Sequence, residues 1–226
     1  MRVNKLHEWS LSIEDAKSIQ KNLHAWITLE DQFTSIKNIA RIKVKSLPDE
    51  PIVKASVSLL SYPDLKILEK QSASVQACFP SVNGLMSFRH MPAIIEALTL
   101  LKKSPDLLLC DGRGIIDKHS FGLASHLGLL THKPTMGVCK AGKDMPLAQS
   151  IENIRGAWLP IPAGNVIVAG LIRVNEDTDP IQVSPGYGIS INSTMKYVLD
   201  CFPRETKKTS PQAAVDIGRA KKKISA

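Results

Sequence analysis

Three stretches decide the fold: Phe79–Leu98 reads FPSVNGLMSFRHMPAIIEAL, Pro105–Leu130 reads PDLLLCDGRGIIDKHSFGLASHLGLL, and Lys133–Lys143 reads KPTMGVCKAGK. Asp106–Cys110 and Thr135–Cys139 are short, continuous apolar runs, the length of a buried strand and too short for a helix of their own. Between them, Ser120–Leu130 carries helix-forming residues, and a second helical stretch near Pro92–Lys102 precedes the first run. Strands that alternate with helices in this way predict parallel strands joined by crossover helices.

Outward from this centre, the periodicity changes. Ile13, Ala16, Ile19, Leu23, Trp26 and Ile27 recur at three- and four-residue steps, which predicts one apolar helix face within residues 12–30. Ser12, with Asp15 three residues on, is an N-cap signal. Ile36–Val44, Ile52–Tyr62 and Lys66–Ala77 are β-like, the last two parted by the turn-forming Pro63-Asp64, and predict an antiparallel meander. Further strands are expected at Val166–Val174 and Ile181–Val183, with a helix over Ser190–Cys201. The expected fold is α/β, a mixed sheet of an antiparallel meander followed by parallel strands, flanked by helices. A chain of 226 residues with 43% hydrophobic residues fits a single domain over 1–226, ending in a basic tail from about residue 203.

The net charge of +8 and pI near 9.3 fit a polyanionic partner such as DNA or RNA as well as a merely solvated basic surface. No apolar run reaches the ~18–20 residues of a membrane span, and the N-terminus MRVNKLHEWS has no apolar signal core. The expectation is an intracellular, cytoplasmic protein with no membrane partner, with the nucleus open to a eukaryotic version. Cys78, Cys110, Cys139 and Cys201 are widely spaced and lack C-x-x-C pairing, and three of them sit in apolar runs, so buried free thiols are expected rather than zinc ligands or disulfides. No nucleophile elbow, P-loop or dinucleotide fingerprint is present. His126 sits within the GLASHLGL helix, a place for a structural hydrogen bond.

The glycines, the SFR triplet, the aspartate before Gly112, the GLASHLGL helix and the PTMGVCK strand resemble three consecutive signatures of endonuclease V, the metal-dependent nuclease that cuts nucleic acid beside deoxyinosine or inosine. The likeness spans most of the chain and is strongest from Gly84 to Lys140. It implies a ribonuclease H-like fold and a role connected with DNA repair. It also implies that Asp111, at the end of a strand, is one acidic metal ligand. Gly84, Gly112 and Gly114 fall where the family's backbone approaches an extruded base, and Lys140 falls on its phosphate contact. Pro80, Ser81, Val82 and Asn83 occupy the place of its Pro-Tyr-Ile-Pro wedge, without the aromatic ring whose stacking is worth ~1–3 kcal/mol.

Four chemical positions differ from the family pattern. Lys43, in Ile39-Ala40-Arg41-Ile42-Lys43-Val44, falls on a ligand aspartate, and His90, after SFR, falls on a ligand glutamate. Asp117 and Tyr187 fall on two histidines. Magnesium requires converging hard oxygen ligands, and an ammonium ~4 Å from a divalent ion is repelled by roughly 8 kcal/mol at an effective dielectric of 20. Lys43 is then either an exposed strand-end lysine or a fixed cation that contacts phosphate in place of the metal. The expectation is a monomeric nucleic-acid-binding protein without efficient nuclease activity and without a cofactor. Two alternatives stay open: a nuclease with a rebuilt magnesium or manganese site of Asp111, Asp117 and His90, and a scaffold that binds a protein partner and no nucleic acid.

Overall fold

The computed structural model describes residues 1–47, 50–117, 119–141 and 149–202. The basic tail expected from about residue 203 lies outside the described residues. The first helix, α1 (Ile13–His24), is capped as its sequence predicts, with the Ser12 hydroxyl accepting from the Asp15 N–H at 3.0 Å. It ends sooner than the apolar spacing implies. Trp26, counted on the helix face, lies beyond it and is 64% exposed.

The meander follows as β1 (Asn38–Lys45), β2 (Ile52–Ser61) and β3 (Ile67–Gln76), paired antiparallel in sequence order. Then come α2 (Met86–Thr99), β4 (Leu107–Asp111), α3 (Leu123–Thr131) and β5 (Thr135–Lys140). Strand β4 runs parallel to both β1 and β5. The chain continues through β6 (Trp158–Ala163), β7 (Val166–Ile172), β8 (Ile181–Tyr187) and α4 (Ile191–Cys201). All eight strands form one sheet in the order β3-β2-β1-β4-β5-β8-β7-β6.

Besides the early end of α1, two further elements differ from expectation, each for a physical reason. Helix α2 starts at Met86, so Pro92 lies inside it rather than at its start. Burial of Phe88, Met91, Ile94 and Leu98 along one side, at about 1.5–3 kcal/mol per large side chain, offsets the hydrogen bond that the proline forgoes. Strand β6 contains Pro160 and Pro162 and so does not read as a strand, yet it is an outermost strand, where a missing N–H costs nothing in pairing.

The sheet is covered on both faces, as parallel strands require. On one face α2 and α3 pack over Ala40, Ile42, Leu108 and Cys110, with Met1, Val3, Leu6 and Trp9 of the N-terminal segment against the same cluster. On the other, α4 packs over Ile39, Leu107, Leu109 and Val183 through Met195, Val198 and Cys201. All four cysteines are free, as expected, but not all are buried: Cys110 and Cys201 are, Cys139 is partly so, and Cys78, just beyond the end of β3, is exposed. No helix among the described residues is long and apolar enough to cross a membrane.

Candidate functional site

The ends of the parallel strands place chemistry at one rim of the sheet. Ile42 pairs with Cys110 and Asp111 with Val138, so Lys43, Asp111 and Lys140 all emerge at the C-terminal ends of β1, β4 and β5. Crevices beyond such ends are the usual ligand sites of α/β sheets. Here the crevice is a cavity of about 630 Å³, walled by Asn83, Gly84, Met86, Ser87 and His90 on one side and by Asp111, Gly112, Arg113, Ile116, Gly122 and Leu123 on the other.

Burial shifts Asp111, His90 and Cys139 of this rim from their ordinary values. Burial raises the Asp111 carboxyl above its ordinary range, and the nearby Lys43 ammonium opposes that change. His90 is pushed down to about 4, first by burial and then by the Arg89 cation. At neutral pH it is therefore an uncharged imidazole, and its buried Nε2 has no hydrogen-bond partner among the described residues. Arg113 hydrogen-bonds Cys139, whose thiol pKa burial nonetheless raises. The site thus combines one carboxylate, one neutral imidazole and the cations of Lys43 and Arg113.

The structure brings together some of the residues singled out in the sequence and parts others. Asn83, Gly84, His90, Asp111 and Gly112 share the cavity, with Lys43 within electrostatic reach of Asp111. Pro80, Ser81 and Val82 belong to the loop leading into Gly84, where the Ser81 hydroxyl faces the Met86 sulfur at 3.6 Å. Gly84 itself has φ +81° with open space where a side chain would be, a backbone state that favours glycine. Gly114 is not in the cavity wall: a Cβ there would fall 2.0 Å from the Pro185 carbonyl oxygen, so its glycine is required by packing.

Asp117 does not join the site. Slight burial disfavours its charge, but hydrogen bonds from Ser120 and from the His119 N–H outweigh this and hold its carboxyl below the usual range. Its oxygens are spent on their own turn. Tyr187 is a clearer correction: it pairs with Thr135, the first residue of β5. That is the opposite end of the sheet from Asp111, about 10 Å of strand away, and its hydroxyl meets His132 Nδ1 at 3.2 Å. The resemblance does not show which end of the sheet receives the residue; the antiparallel register of β8 against β5 does. Lys140 is exposed at the rim.

Several contributors were invisible in the sequence. Arg89, of the SFR triplet, donates to the carbonyls of Phe79 and Glu50 and to the Ser46 hydroxyl, tying the loop after β1 to the loop before α2. Gln20 of α1 donates to the Gly84 carbonyl at 3.0 Å and the Phe121 carbonyl at 2.7 Å, tying Gly84 of one wall to the neighbour of Gly122 in the other. Behind Ser87, His126 Nδ1 lies 3.1 Å from the Ser87 hydroxyl and its Nε2 lies 2.8 Å from His7 Nε2. The hydrogen bond expected at His126 is present, but a single helix or loop gives no sign of which residues are the partners in these contacts.

A family model, Endonuclease V, matches residues 21–215. The chain belongs to the endonuclease V family. An endonuclease V of Nostoc sp. is 36% identical over 208 residues, covering 90% of this chain and 92% of its own. That of Roseiflexus castenholzii is 33% identical over 217 residues, covering 95% of each. Among solved structures, Bacillus subtilis endonuclease V superposes with a TM-score of 0.82 at 26% identity, over 95% of this chain and 94% of the other. Ciona intestinalis endonuclease V, solved with a DNA containing an inosine followed by a ribo-adenosine, gives 0.76 at 25% identity, over 92% and 96%. The mixed sheet and its flanking helices are the ribonuclease H-like fold of this family.

Membership implies a divalent ion beside Asp111, and the residues present do not fit magnesium. Among the described residues no three His, Cys, Asp or Glu side chains converge, the imidazole of His90 is a softer donor than magnesium prefers, and Lys43 acts on Asp111 as a counter-cation.

Proposed function

We propose that this member of the endonuclease V family binds DNA or RNA, holds an extruded base in the cavity between β4 and α2, and does not cut efficiently with magnesium. The observation that carries this reading is Lys43 beside Asp111 at the paired strand ends. In place of a metal the site offers a fixed ammonium, which attracts a phosphate as a point charge but neither activates water nor polarises the scissile bond as a metal does. Lys140 at the same rim and the net charge of +8 supply further phosphate contacts. The Ciona intestinalis relative, bound to inosine-containing DNA, supports nucleic acid as the ligand. A rebuilt site of Asp111, His90 and Asp117 would require Asp117 to leave the three hydrogen bonds of its turn.

The experiment compares the natural chain with the double variant Lys43→Asp/His90→Glu. A ligand that binds only the folded state stabilises it, by about 2.7 kcal/mol at a hundredfold excess over Kd. Millimolar magnesium is expected to leave the natural chain's melting temperature unchanged and to raise that of the double variant, with oligonucleotide binding present in both. Magnesium-dependent incision of inosine strands by the natural chain, abolished by Asp111→Ala, would overturn the proposal.

A further inference from the structure

The N-terminal segment reaches the cavity wall through a chain of hydrogen bonds whose direction can be deduced. His7 Nδ1 lies 2.6 Å from the Glu8 carbonyl oxygen. That oxygen only accepts, so Nδ1 carries a hydrogen, and in a neutral imidazole the other nitrogen is then a bare acceptor. His126 Nε2, 2.8 Å from His7 Nε2, must be the donor of that pair. His126 Nδ1 is left as an acceptor, and the Ser87 hydroxyl, 3.1 Å away, gives it its only hydrogen. What Ser87 keeps for the cavity is lone pairs.

We infer that this relay makes Ser87 a specificity-determining residue, an obligate hydrogen-bond acceptor in the cavity wall that favours a nucleobase turning a ring N–H toward it over one turning a bare ring nitrogen. Hypoxanthine, guanine and uracil belong to the first class; adenine, cytosine and unsubstituted purine belong to the second. The inference rests on the nucleic-acid reading above and adds to it the residue that discriminates and the remote contact that sets its polarity. Two acceptors facing each other without a hydrogen leave both unsatisfied, a mismatch worth about tenfold in affinity.

The surroundings keep the relay in its neutral form. His126 is completely buried, and burial pushes its pKa down to about 3, with His7 adding to the effect. Burial lowers His7 too, against the Glu8 carbonyl and carboxylate. The groups facing His7 are Glu8, ion-paired with Lys5, and the uncharged Trp9 from its own segment, His126 from α3 and the uncharged Phe88 from α2. Protonation of His7 makes both its nitrogens donors. The chain then runs backwards, His126 donates to Ser87, and the serine hydrogen is released toward the cavity.

The test uses the full chain and single-stranded oligonucleotides carrying one inosine or one nebularine, the purine nucleoside lacking the ring N–H, with binding read by fluorescence anisotropy. At neutral pH the natural chain is expected to prefer inosine, and Ser87→Ala and His7→Phe are each expected to cut that preference by about five- to tenfold. Acidification below the ordinary histidine range should erode the preference in the natural chain and leave the ratio of His7→Phe flat. A lost packing contact would not produce that pH dependence. Nitrogen NMR of labelled imidazoles reads the relay without any oligonucleotide: a hydrogen on Nδ1 of His7 and on Nε2 of His126 supports it, and the opposite tautomers overturn it. An unchanged preference in Ser87→Ala overturns the specificity alone. The expected tautomers without binding of any oligonucleotide overturn the nucleic-acid reading, and the specificity with it.

Discussion

The cavity has a backbone frame and a set of chemical side chains, and the two obey different constraints. The frame is built from close approaches: a Cβ at Gly114 would lie 2.0 Å from the Pro185 oxygen, one at Gly122 would lie 2.5 Å from the Arg113 oxygen, and one at Gly137 would lie 2.2 Å from the Gly112 oxygen. These glycines are required by the fold whatever the cavity binds. Lys43, His90 and Asp111 are partly buried side chains at the cavity and its rim, and their chemistry is not set by such backbone approaches. A family member can therefore alter its metal positions without disturbing the shape around them. Resemblance in the glycines speaks to the fold, whereas resemblance at the rim speaks to the reaction.

The sharpest way to break this contrast is Gly114→Ala. With backbone on the other side of the clash, nothing flexible can yield, and overpacking is expected to cost about 3 kcal/mol or more, read as a lower denaturation midpoint at unchanged slope. A neutral outcome would show that the frame is not packing-limited.

Next in size is the acid response of His90. Its folded pKa lies below the unfolded value of about 6.5, so the unfolded chain takes up the proton first. Stability is fully present above that value and declines as pH falls toward about 4. A tenfold difference in proton affinity between the folded and unfolded chain corresponds to about 1.4 kcal/mol. Because His90 is only partly buried, solvent screening trims the whole effect to about 2 kcal/mol. His90→Gln should remove that share of the acid slope in urea titrations at stepped pH. An identical slope would mean that His90 does not report on a closed site.

The smallest effects belong to the rim and the floor of the cavity. Lys140→Ala should lower the slope of log affinity against log salt by roughly one and weaken inosine and ordinary strands alike. Gly112→Val, which sets a larger side chain against Leu123, whose Cβ would already lie 3.1 Å from an added Cβ, should reduce the preference for inosine and leave the salt slope intact. If the two variants behave identically, phosphate and base are not read by separate parts of the site.

Much of the fold was legible because its centre is built from local signals. Asp106–Cys110, Ser120–Leu130 and Thr135–Cys139 became β4, α3 and β5 within a few residues, since a short apolar run between turn residues has few other uses. Strand β6 escaped because its prolines carry a strong local signal against a strand, and only its place at the sheet edge cancels it. Within the site, Lys43, His90 and Asp111 came together because strand ends and the start of a helix fix them. Tyr187 went elsewhere because register, a property of two strands, decides which end of a sheet a residue reaches. His7, Gln20 and Arg113 act across long sequence separations, and their roles exist only after folding.

The two outermost strands of the sheet are unlike each other. Strand β6 carries Pro160 and Pro162, which offer no N–H to a visiting strand, so that border is chemically closed. Strand β3 has no proline along its ten residues and exposes Ile67 and Leu68, with Glu69 and Lys70 as its charged neighbours. Self-association on heating or at high concentration should therefore begin at β3, and a charge placed at Leu68 would improve solubility without touching the cavity.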